Sequence, residues 1–102
     1  MIFDDVDLKI LVEFLKLNGK KTTLWKIMKK IYPSGRNKEF MRVKNKIIDM
    51  EKIGLFFIEE ENKVNAYYLI KDNVRIRKIN FPNRNSKAIC LKVRGKWEVF
   101  EL

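Results

Sequence analysis

The chain has 102 residues, 46% of them hydrophobic, and sets 23 Lys/Arg against 13 Asp/Glu for a formal net charge of +10. That length supports one hydrophobic core and a single domain over 1–102 rather than two. With one cysteine, Cys90, and no histidine, an intramolecular disulfide, a Cys/His zinc site and a Ser-His or Cys-His catalytic pair are all excluded.

In chain order, Asp4 or Asp5 can cap a first helix, predicted over 5–17, in which Leu8, Leu11, Val12 and Leu15 recur at helical spacing until Asn18-Gly19 stops it. Thr22 or Thr23 caps a second helix over 23–32, with Leu24, Ile27, Met28 and Ile31 as its apolar stripe and Pro33-Ser34-Gly35 as its end. A third helix begins near Asn37, buries Phe40, Val43, Ile47 and Met50, and ends at Gly54. Leu55–Ile58 reads as a strand, Glu59–Asn65 as a polar turn containing three acids beside Lys63, and Ala66–Ile70 as the returning strand.

Beyond residue 70 the helical period gives way to alternation. Val74 and Ile76 alternate with Arg75 and Arg77 in VRIRKINF. After a loop at 82–86, the only stretch expected to be disordered, Ile89, Leu91 and Val93 alternate with Cys90, Lys92 and Arg94. Gly95-Lys96 then turns into a last strand, Trp97–Phe100. These strands either extend the first hairpin's sheet or form a sheet of their own on the helices. Arg75, Arg77, Lys92 and Arg94 are expected to share a solvent face, Trp97 and Cys90 to be core, and Tyr67 and Tyr68 to point to opposite sides of their strand.

Charge is not spread evenly over this plan. Residues 16–46 carry eleven Lys/Arg against Glu39 alone, 71–96 carry nine against Asp72 alone, and the remaining segments are acidic. A basic block coinciding with the second and third helices is the electrostatic pattern of a phosphate-binding surface. At 100° per residue, Lys38, Arg42, Asn45 and Asp49 lie within about 60° of one another opposite the core stripe of the third helix, with Met41 at the border and Lys46 flanking.

Residues 5–70 resemble the winged-helix branch of the helix-turn-helix DNA-binding proteins, most tellingly in KEFMRVKNKIIDMEKIGLFFIEEENKVNAYYLI, where a recognition-helix pattern exits through IGLF into a hairpin. The resemblance implies an α+β fold, with a three-helix core followed by the wing hairpin and a β extension over 71–102. It also implies a transcriptional regulator of archaeal or archaeal-virus type that enters the major groove of double-stranded DNA with its third helix, often as a homodimer with the two helices about 34 Å apart. Base contacts are then expected from Arg42, Asn45, Lys38 and Met41. Backbone contacts are expected from Lys21, Lys26, Lys29, Lys30, Arg36 and Lys46, with Arg75 and Arg77 reaching flanking phosphate.

The acidic hairpin departs from this family's pattern, since a wing pressed on phosphate usually offers Lys or Arg. Glu59, Glu60 and Glu61 are therefore expected to face away from the nucleic acid or to dock a basic protein partner. A winged-helix protein adaptor that binds no nucleic acid and an RNA-binding module with tyrosine stacking stay open as alternatives. No enzymatic activity, cofactor or metal is expected. The acidic start MIFDDVD is unlike a secretory signal, and no apolar run approaches the about 20 residues of a membrane span, so the expectation is a soluble, cytoplasmic protein, in the host cytoplasm if viral.

Overall fold

Asp4 starts the first helix, α1 (Asp5–Lys16), through a reciprocal capping box: its carboxylate accepts from the Asp7 backbone N–H at 2.9 Å, and the Asp7 carboxylate accepts from the Asp4 N–H at 2.9 Å. The computed structural model describes residues 2–82 and 84–102. Helix α2 (Leu24–Ile31) begins at Thr23, whose Oγ1 accepts from the Lys26 N–H at 3.2 Å. Helix α3 (Asn37–Lys52) is capped one residue before the expected Asn37. There the Arg36 backbone N–H donates to the Glu39 carboxylate at 3.1 Å, a hydrogen bond that holds this carboxyl below its usual range.

Gly35, in the turn between α2 and α3, is buried because the two helices approach too closely for a side chain. A Cβ there would lie 2.6 Å from Met28 Sδ and 2.9 Å from Tyr32 Cβ. At the far end of α3 the chain reverses through Gly54, at φ +85°. The Leu55 N–H then donates to the Met50 carbonyl at 3.0 Å and the Gly54 N–H to that of Glu51 at 3.1 Å, a Schellman closure that aims the next strand back at the helices.

Strands β1 (Phe56–Glu61) and β2 (Val64–Leu69) pair antiparallel from Phe56↔Leu69 to Glu61↔Val64. The turn between them is only Asn62-Lys63, both left-handed at φ 50° and 64°, as a two-residue type I′ hairpin requires. This corrects the expected turn at Glu59–Asn65: the three acids are strand residues, and Lys63 sits at the tip. A short 3-10 turn (Lys71–Asn73) leads to β3 (Val74–Phe81), β4 (Arg84–Val93) and β5 (Lys96–Glu101), which form a separate antiparallel sheet in the order β3-β4-β5. The expected loop at 82–86 contracts, since β4 already begins at Arg84; Asn83, within that loop, lies outside the described residues. Arg94 and Gly95, at φ 52° and 82°, make the β4–β5 turn, so Arg94 does not share the strand face expected for it.

The fold is therefore α+β, three helices followed by a hairpin and then a three-stranded antiparallel sheet. One hydrophobic cluster joins all of it, from Ile10 and Leu11 of α1 through Ile27 of α2 and Ile47 of α3 to Phe56, Ile89 and Leu91, each at most 1% exposed. Burying a side chain of this size contributes about 1.5–3 kcal/mol. Edge-to-face pairs tie the layers: Phe14 on Phe56 with centroids 4.9 Å apart, and Phe3 on Phe100 at 5.3 Å. Trp97, expected in the core, is 43% exposed on the outer face of β5, because the core-facing residues of that strand are its alternates, such as Phe100. Among the described residues, no helix is long and apolar enough to cross a membrane.

Candidate nucleic-acid interface

The core stripe of α3 is Val43, Ile47 and Met50, all fully buried, which fixes the rotation of the helix and hence what faces water. Lys38, Arg42, Asn45 and Asp49 are exposed on the opposite side, and Met41 beside them is 47% exposed. No ion pair among the described residues engages Lys38 or Arg42. Asp49 lies within 4.0 Å of Lys52, so the strip is cationic over its first half and neutralised at its end. The first half also carries the partial positive charge of the helix N-terminus.

The other predicted contacts fall into three groups. Lys26 and Arg36 are exposed, without an ion pair among the described residues. Lys21 and Lys30 keep exposed ammonium groups while pairing with Glu61 at 2.8 Å and Glu13 at 3.7 Å; the Glu61 pair faces solvent and is worth about 0–1 kcal/mol, whereas Glu13 is half-buried and also pairs with Lys16.

Lys29 and Lys46 are tied into the fold. The Lys29 ammonium donates to the Gly35 carbonyl at 2.9 Å and the Pro33 carbonyl at 3.4 Å, and lies 5.4 Å from the centre of the Trp25 ring. Lys46 donates to Asp4 at 2.7 Å and to Asp7 at 3.4 Å, with its side chain only 18% exposed and the Asp7 side chain 1%. This corrects the expectation that Lys46 faces phosphate: at about 80° from Lys38 around the helix it turns toward α1 and joins the capping box there. Its hydrogen bond pulls the Asp4 carboxyl down to about 2, whereas burial pushes that of Asp7 up.

Beside α3 the hairpin and the start of α2 enclose an open groove of about 720 Å³. Trp25, Phe40 and Val64 give it apolar walls, and Lys21, Lys44 and Lys63 a cationic rim interrupted by Glu61. Trp25 packs on Phe40 of α3, with centroids 5.9 Å apart. Glu61 accepts from Lys21 and from the Tyr68 hydroxyl at 2.9 Å, and Lys21 followed by Tyr68 holds its carboxyl low. Tyr68 also stacks on Phe57 at 4.8 Å, while Tyr67, on the opposite side of β2, packs on the core.

Lys44 and Lys63 were missed by the sequence reading. The signal for Lys63 was the Asn-Lys pair centred between two six-residue runs, and for Lys44 its position next to Phe40 on the helix. Arg75 and Arg77, predicted to reach flanking phosphate, stand on β3 in the C-terminal sheet.

Comparison with protein-family models, with curated proteins and with solved structures returns no match to this chain.

Proposed function

We propose that the chain binds double-stranded DNA with sequence preference and acts as a transcriptional regulator, with α3 in the major groove as in the winged-helix proteins its sequence resembles. The observation that carries this reading is the sorting of charge on α3. The cation turned inward, Lys46, has two carboxylates, while Lys38 and Arg42 on the outer strip have none among the described residues.

In this reading Arg42 takes guanine O6/N7, Asn45 takes adenine N6/N7, Met41 lies against thymine methyl groups and Lys38 reaches guanine or phosphate. Lys26 and Arg36 hold the backbone, Lys30 exchanges its 3.7 Å pair with Glu13 for phosphate, and Lys21 reaches phosphate while keeping Glu61. Lys63 at the hairpin tip removes the objection that the wing would repel phosphate, because Glu61 is already neutralised by Lys21 and only Glu59 and Glu60 remain exposed along β1. Such a role belongs in the cytoplasm, that of a host cell if the gene is viral. No side chain is assigned a catalytic part.

The test is a gel-shift titration against duplex, single-stranded DNA and RNA at two salt concentrations. With six phosphates contacted, duplex affinity is expected to fall about 10³-fold between 50 and 200 mM salt. A chain that binds no nucleic acid but captures a basic protein through Glu59 and Glu60 would be the adaptor instead.

A further inference from the structure

The outer face of the C-terminal sheet is built differently from its inner face. One side of β4 buries Ile89 and Leu91 against the helices. On the other side the register aligns Arg75 with Cys90 and Val99, Arg77 with Ala88 and Glu101, and Lys92 with Trp97. At Ala88 and Cys90 the central strand carries small residues, which leaves a trough of about 210 Å³ floored by Cys90 between the arginines of β3 and Trp97 and Val99 of β5, with Lys92 beyond it on β4. The Arg75 guanidinium lies 5.0 Å from the centre of the Trp97 ring. Since β4 separates the two strands, this contact passes over Cys90, and that is why the thiol is only 6% exposed.

We propose that this face binds single-stranded nucleic acid. Trp97 and Val99 are left 43% and 61% exposed, an apolar surface that water disfavours, and it is bordered by three exposed cations, Arg75, Arg77 and Lys92, none of them ion-paired among the described residues, against one acid, Glu101. A partner that covers such a face must combine negative charge with planar apolar surface. Unpaired nucleotides do both: bases stack on indole and guanidinium planes while phosphates meet the cations. Arg75 and Arg77 stand about 6.6 Å apart along their strand, a step suited to successive phosphates of an extended chain. A duplex keeps its base faces stacked on one another and has none to offer Trp97. An acidic protein would satisfy the arginines but brings no array of planar rings to the indole. The inference rests on the sheet alone and does not depend on the duplex reading of α3.

The test uses the full chain in a Trp25→Phe background, so that Trp97 is the sole tryptophan and can be excited selectively over tyrosine, with oligo(dT) and oligo(U) of about twelve nucleotides and a blunt DNA hairpin as probes. Both single strands are expected to quench Trp97 on binding, the hairpin is not, and the ratio of the two affinities says whether DNA or RNA is preferred. Trp97→Ala and Arg77→Ala are each expected to weaken oligonucleotide binding about tenfold or more. Arg42→Ala should leave it unchanged while weakening duplex binding, which keeps a failure here distinct from a failure of the α3 reading. Unquenched Trp97 at saturating oligonucleotide overturns the proposal. So does equal affinity for polyglutamate of the same length, which would mark the face as a site for acidic protein. Circular dichroism on each variant identifies loss of fold, and Arg77→Ala, whose side chain is exposed, carries the test if Trp97→Ala unfolds.

Discussion

Lys46 and Arg42 stand one turn apart on the same helix and have opposite circumstances. Lys46 is 18% exposed and holds together the capping box at the start of α1; the Arg42 side chain is exposed and bonded to nothing among the described residues. Composition counts them equally. The difference teaches that a basic block is two populations: cations that the fold uses to stitch helices, and cations that it leaves for something else. Lys29 belongs with Lys46, since it secures the α2–α3 turn through two carbonyls, whereas Lys26, Arg36 and Lys38 belong with Arg42.

The variant that tests this division most severely is Lys46→Met. Removing the ammonium leaves the buried Asp7 facing Asp4 with no counter-charge, and stranding a buried charged group of this kind costs about 1–3 kcal/mol or more. Thermal or denaturant unfolding should register that loss, with sequence preference on duplex DNA unchanged. If Lys46→Met were as stable as wild type, the inward cation would be no more structural than the outward ones.

Arg42→Ala should give the mirror image. Stability stays within about 0.5 kcal/mol, as for other exposed positions, while discrimination between a preferred and a mutated duplex falls by about 1–3 kcal/mol. Binding titrations on two duplexes that differ at one base pair measure it. A uniform loss across all sequences would place Arg42 on phosphate instead.

Smaller again is the effect of Lys26→Ala. It should weaken every duplex alike and lower the slope of log affinity against log salt by about 1. Lys30→Ala should do less, because the Glu13 pair it releases in the wild type already offsets part of its gain.

How this division appears from the sequence follows the range of the interactions involved. The three helices and the first hairpin were legible because their apolar residues repeat locally and the helix starts carry Asp4, Thr23 and, one residue early, Arg36. The outer strip of α3 was legible for the same reason, its position being set by the buried stripe opposite. Lys46 was not, since its partners lie about forty residues upstream and no local pattern records them.

The Glu59–Glu61 run was misplaced because three acids in succession show no apolar alternation. A two-residue turn of Asn and Lys without glycine then still closes the hairpin at positive φ. Trp97 was expected in the core, although its parity with Val99 puts both on the face away from Phe100. The contact with Arg75, on a strand not adjacent to its own, needed the strand order to be seen.

The finest resolution of the Lys46 cluster comes from pH. Asp4 is pulled down to about 2, first by the Lys46 hydrogen bond and then by the Asp7 N–H, while burial pushes Asp7 above its ordinary value near 3.8. For Asp4 the folded state favours the charged form, so its contribution is complete above about 4 and is lost as the pH falls through about 2. For Asp7 the folded state favours the neutral form, so its contribution is complete below about 3.8 and is lost as the pH rises through its elevated value.

Asparagine keeps a capping oxygen at either position and removes the charge, and with it both the titration and the ion pair to Lys46. The stability deficit of Asp4→Asn relative to wild type should therefore shrink as the solution is acidified from pH 5 toward 2. Over the same range the stability of Asp7→Asn relative to wild type should fall, since acid relieves in the wild type a strain that the variant never had. Chemical denaturation at several pH values between 2 and 6 gives both curves. Slopes of the same sign would mean that the two carboxylates share one environment, and that Lys46 does not distinguish the exposed cap residue from the buried one.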